Sequence, residues 1–253
     1  MAGGANTCGF ARSGGSYCWG ANGAGQLGPA AGDTCDGTPC SRTPVALPAE
    51  PKLRLLALGS AAHLCGLTAA GVAYCWGSNS GGQLGLGAAG GTRDAPAAVT
   101  GGLRFKAIAV GGEHTCALET DGTPWCWGRD ILPPGEGGIS FSAVPVAIGS
   151  SPAFTDLITG TWAACGRTAA GAVSCWGINA HGEIGVTPAG LDIRYLTPQP
   201  LSGGGRWSMI AGSLATFCGL DEADGTWCWG DGGNGELGAD LDASTVPVRV
   251  GGL

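Results

Sequence analysis

Twelve cysteines carry most of the reactive chemistry in this 253-residue chain. Ten of them form five pairs with one spacing, Cys-x9-Cys: Cys8/Cys18, Cys65/Cys75, Cys116/Cys126, Cys165/Cys175 and Cys218/Cys228. Cys35 and Cys40 make a sixth, shorter pair. Thiols at fixed spacings form disulfides, hold a metal or stay free. Zinc sites show tight CxxC knuckles, often joined by His. The chain has no CxxC, and its three histidines, His63, His114 and His181, are not spaced as ligands. Disulfides are therefore the leading reading, ahead of free buried thiols and of metal; no metal and no other cofactor is expected. An even cysteine count with no orphan points to an oxidising compartment.

No catalytic constellation accompanies them. GxSxG, HExxH and a Walker loop are absent, and no free-thiol Cys-His pair presents itself. The Gly-rich stretches 87–91 and 203–205 lack the strand–loop–helix setting of a phosphate cradle and read as turns. Asp121, Asp221, Glu222 and Asp224 read as turn residues and solubilising charges. The segment 231–242, "DGGNGELGADLD", has oxygens but not the EF-hand order. The chain reads as a non-enzyme.

The elements that must position the cysteines follow from their spacing. In an antiparallel hairpin, opposed residues have a constant index sum. If Cys65 faces Cys75, the loop is Ala69-Ala70-Gly71. Three-residue hairpin loops favour a left-handed residue in last place, where Gly is cheapest. Gly71 stands there, and Gly14, Gly122 and Gly171 match it. Counting outward from a Thr68/Val72 closing pair puts the cysteines at a non-hydrogen-bonded site, where Cα atoms come closest, within disulfide reach. In the fifth pair Gly225 comes one place later, so a four-residue loop or a bulge is expected there. A Cys35–Cys40 bond would stiffen an otherwise structureless insertion.

The hairpins recur. "CGFARSGGSYCWG" (8–20), "CGLTAAGVAYCWG" (65–77), "CALETDGTPWCWG" (116–128), "CGRTAAGAVSCWG" (165–177) and "CGLDEADGTWCWG" (218–230) repeat at steps of 57, 51, 49 and 53 residues. Four have a turn-rich tail ending in forms such as "GQLG"; the third reads "RDILPPGEGG" instead. Repeat cores are 8–28, 65–85, 116–138, 165–185 and 218–238. Between them run Pro-apolar strands such as "VPVAI". With 51 Gly and no long apolar helical pattern, the chain reads as all-β. A period near 50 is the size of a four-stranded propeller blade. The net charge is −7, with Lys and Arg scattered singly, which disfavours nucleic acid as a partner. No apolar run is long enough for a membrane helix.

The CWG hairpins, turn-rich tails and Pro-apolar strands together resemble the regulator of chromosome condensation repeat family, in a disulfide-rich form like its secreted bacterial-type members. The resemblance covers the whole chain and implies one β-propeller domain over 1–253, used as a rigid binding platform. Five repeats allow a closed five-bladed ring or an arc of a larger propeller, since well-known members carry seven blades. The "MAGGANTC" head and the "STVPVRVGGL" tail are expected to share one blade. The chain shows no export signal after Met1, so a segment of a longer protein is slightly favoured.

Trp19, Trp76, Trp127, Trp176 and Trp229 follow the second cysteines and read as packing between blades. The family often places His two residues before the first cysteine, where His63 and His114 stand. They read chiefly as structural hydrogen-bonders and are kept as candidate partner contacts. One place earlier, Trp162 and Glu113 break a row of alanines, Ala5, Ala62 and Ala215. A Trp that breaks the pattern is a candidate surface anchor.

The resulting expectation is a non-enzymatic module that binds a protein or surface ligand in an extracellular, periplasmic or cell-surface setting. Two alternatives follow from the resemblance. One is guanine nucleotide exchange on a small GTPase with chromatin association, the family's founding activity. The other is a secreted enzyme inhibitor of the β-lactamase-inhibitor type, a target no residue here supports.

Overall fold

The computed structural model describes residues 2–3, 5–12, 14–29, 32–131, 141–149, 151–186 and 194–251. These contain strands and turns and no helix. Five antiparallel sheets follow one another along the chain. Blade 2 shows the pattern: an inner strand Leu53–Leu58, then His63–Thr68, Ala73–Ser78 and an outer strand Thr92–Ala98. The inner strands of blades 3, 4 and 5 are Phe105–Val110, Phe154–Thr159 and Trp207–Ser213. Their outer strands are Phe141–Ala147, Arg194–Pro200 and Ala243–Arg249. Every outer strand carries a proline: Pro44, Pro96, Pro145, Pro198 and Pro247.

Each blade is built on its cysteine hairpin. Cys65 faces Cys75, and the same register holds in the other four repeats. The paired Cα atoms stand 4.0–4.1 Å apart and all five pairs are bonded. That is the short cross-strand distance of a non-hydrogen-bonded site. Gly71 has φ 76° and closes its loop by donating to the Thr68 carbonyl.

The fifth hairpin differs from expectation. It keeps the three-residue loop, with Asp224 in the left-handed place at φ 60°. The Asp221 amide bonds Gly225, the closing bond that Thr68 makes to Val72. Asp is among the few residues that tolerate this conformation, so no bulge is needed.

The glycine of each CWG has a separate cause. Gly20, Gly77, Gly128, Gly177 and Gly230 have φ between 99° and 117°. A Cβ at any of them would come within 2.1–2.4 Å of a carbonyl oxygen at the start of the second strand. Only Gly fits there, so the tripeptide encodes a staple, a packing ring and a gap in that order.

Two further expectations are corrected. The insertion around Cys35 is not structureless: Asp33–Cys35 pairs with Thr38–Ala46 through an Asp36-Gly37 turn, adding a fifth strand to blade 1. Positive φ at both turn residues suits a two-residue hairpin. The head and tail do not share a blade. Ala243–Arg249 pairs with Thr226–Asp231 and completes blade 5. Ala2–Gly3 pairs with Asn6–Phe10 and is a stub of blade 1's inner strand. The Pro-apolar strand closes the blade whose hairpin precedes it.

The core lies between blades. Cys8 and Cys18 of blade 1 pack with Trp76 of blade 2. Cys65 and Cys75 pack with Trp127, Cys116 and Cys126 with Trp176, and Cys165 and Cys175 with Trp229. Each disulfide is the floor on which the next blade's Trp rests. Inner-strand aromatics flank those rings, Phe105 at 6.0 Å from Trp127 and Phe154 at 5.8 Å from Trp176.

Candidate interaction surface

Three of the buried indoles are also anchored by hydrogen bonds. Trp76, Trp127 and Trp229 donate Nε1 to the carbonyls of Gln26, Gln83 and Glu183 in the preceding blade, at 2.8–3.1 Å. Trp176 Nε1 has no partner among the described residues. The blade before it is the one whose tail departs from "GQLG"; residues 132–138 of that repeat core lie outside the described residues.

His63 and His114 leave the set of candidate contacts, because both are buried. His63 Nε2 lies 3.1 Å from the Thr115 hydroxyl of blade 3, which donates to the Gln83 carbonyl at 2.8 Å. With that proton spent, the hydroxyl accepts from the imidazole. Burial lowers the His63 pKa to about 3, aided by the neighbouring His114, and lowers His114 to about 4. Neither ring nitrogen of His114 has a partner among the described residues. Ala164 stands where Thr115 would be in the next repeat.

Glu113 and Trp162 do reach the surface, on one rim of the disc. The loops between inner and second strands meet there. Gly112 donates to the Thr161 carbonyl at 3.1 Å, and Thr161 donates to the Leu214 carbonyl at 2.6 Å. Ser60 and Thr161 hydroxyls approach to 3.4 Å across two blades. Trp162 is 43% exposed and Leu214, in the adjoining loop, is 61% exposed. Leu214 holds φ 51°, a conformation a bulky side chain rarely adopts. Beside them, Glu113 Oε2 pairs with Arg129 at 3.3 Å, and its other oxygen accepts from Ser80 at 2.9 Å. An exposed Trp next to an exposed Leu, edged by an ion pair, has the composition of a contact patch. Leu214 escaped sequence reading; a bulky residue at left-handed φ leaves no sequence signal.

The opposite rim carries the hairpin tips. Asp121 accepts from the Thr123 amide, and Asp221 accepts from Ala223, Gly225 and the Trp227 indole. These bonds hold both carboxyls below their usual range, the Thr123 amide chiefly for Asp121 and Trp227 chiefly for Asp221. They are turn formers. Inner strands line an apolar central cavity of about 470 Å³, with Leu58, Val110, Ile158 and Ile210 on its wall. Among the described residues, no group of three His, Cys, Asp or Glu is placed to hold a metal. No described helix is long and apolar enough to cross a membrane.

The Regulator of chromosome condensation (RCC1) repeat profile matches residues 70–118, which span parts of blades 2 and 3. The chain belongs to this repeat family. It is 30% identical to the Homo sapiens E3 ubiquitin-protein ligase HERC2 over 95% of its own length and 5% of the ligase. The crystal structure of human WBSCR16 superposes with a TM-score of 0.81 at 20% identity, covering 98% of this chain and 65% of that one. Saccharomyces cerevisiae Prp20p, a protein described with binding to Gsp1p and histones, superposes at 0.77 and 20% identity, over 98% and 61%. The chain thus spans a small fraction of the ligase and under two thirds of each of these propellers. Family and fold agree: a disulfide-rich propeller of these repeats, with six bonded cysteine pairs.

Proposed function

We propose that this chain is a non-enzymatic protein-binding module that works outside the reducing cytoplasm. The observation that carries the reading is Trp162, 43% exposed on a rim whose loops are hydrogen-bonded to one another. A rigid blade stack presents such a ring with little ordering cost on binding. Leu214, Glu113 and Arg129 extend the patch. The oxidising compartment rests on the paired cysteines. Prp20p, the neighbour described with Gsp1p and histones, supports protein binding as the mode of action and does not name the partner here. The nucleotide-exchange alternative rests on fold likeness alone, and the inhibitor alternative rests on no residue.

A photo-crosslinking residue in place of Trp162 tests the reading, with a control at Thr123 on the opposite rim. Illumination in the native extracellular setting should give protein adducts of discrete mass from position 162 and not from 123. Equal labelling at both positions, or none at 162, overturns it.

A further inference from the structure

The ends of the blade stack are two halves of one interface. Four core clusters fill the four interfaces between consecutive blades, and no fifth cluster joins blade 5 to blade 1 among the described residues. At the blade 5 end, the Cys218–Cys228 disulfide has no Trp upon it. Cys218 is only partly buried, whereas the first cysteines of blades 1–4 are buried. Ala211, opposite Cys218, is exposed, whereas its counterpart Ala57 is buried beneath blade 3. An open hollow of about 440 Å³ remains there, lined by Ala211, Leu214, Cys218 and Glu236. At the blade 1 end the complementary parts stand uncovered. Trp19 is partly exposed, while its four counterparts are almost fully buried. Thr7 is partly exposed too, where its counterpart Thr115 is buried and bonded to the previous blade.

Charge matches the two ends. Residues 1–32 hold Arg12 and no acidic residue. Residues 211–242 hold seven acidic residues and no Lys or Arg. We propose that copies of this chain associate head to tail, blade 1 of one molecule seated on the open face of blade 5 of the next. Trp19 then rests on the Cys218–Cys228 disulfide, and its Nε1 donates to the Glu236 carbonyl, as Trp127 does to Gln83. The contact is heterologous, so it builds short open chains or rings of copies.

Sedimentation of the wild-type chain over a range of concentrations is the test. Association should rise with concentration and weaken as salt increases from about 50 to about 500 mM, because the charges sit at the surface. Trp19→Ser removes the knob and Ala211→Asp spoils the floor. Thr7→Asp replaces the first variant if it fails to fold, as judged by circular dichroism and six intact disulfides. Each variant alone should be monomeric, while an equal mixture should form one-to-one dimers and nothing larger. A wild type that stays monomeric at all concentrations overturns the proposal and leaves both faces to a different occupant, such as further blades. Self-association that survives in both variants also overturns it.

Discussion

His63 of blade 2 and Thr115 of blade 3 are joined at 3.1 Å, and through Thr115 to the Gln83 carbonyl, so one hydroxyl locks two blades. The link works only with a neutral imidazole. The His63 pKa falls to about 3 in the fold and that of His114 to about 4. The unfolded chain takes up these protons near pH 6.5 and the folded chain does not. Stability is therefore full above that value and declines as pH falls toward 4. At pH 5 each histidine should cost about 2 kcal/mol. Urea titrations at pH 7 and pH 5 measure the loss, and His63→Gln should flatten part of the slope.

Reduction should destabilise the blades together. Each Cys-x9-Cys bond closes a short loop worth about 2–3 kcal/mol in the chain-entropy account. Melting with and without a strong reductant should show a large fall in Tm. The double substitution Cys65→Ser with Cys75→Ser should reproduce one share of it. Intact mass should drop by two hydrogens per bond on oxidation.

The indole hydrogen bonds predict unequal responses to the same change. Trp76→Phe removes the donor to the Gln26 carbonyl and should cost about 1–3 kcal/mol beyond the lost packing. Trp176→Phe removes a nitrogen without a partner among the described residues and should cost less. Chemical denaturation of the two variants side by side makes the comparison.

At the rim, Trp162→Ala should leave Tm within a degree or two, since the side chain is 43% exposed. It should still reduce adduct formation from a crosslinker placed at Glu113. Thermal melting and crosslink yield read the two effects separately.

The hairpin geometry was legible because a ten-residue offset and a glycine at a fixed place leave few ways to pair two strands. Trp162 and Glu113 were legible as breaks in a row of alanines. Other features were not, for physical reasons. A periodic chain can be divided anywhere, so sequence could not say whether Pro247's strand opens a blade or closes one. The ladder with Thr226–Asp231 decides it. The burial of His63 depends on Thr115, 52 positions away, which no local pattern reveals. At Asp224 the left-handed place was filled by the less usual residue, and the loop looked longer than it is.

The proline of each outer strand has a consequence for how these molecules meet. A strand at the edge of a sheet is an open template for fibril-like growth. Pro44, Pro96, Pro145, Pro198 and Pro247 each remove an amide from that edge, and they do so all around the circumference. The perimeter is thereby made inert to strand addition, which lets a chain rich in exposed β edges remain dispersed at high concentration.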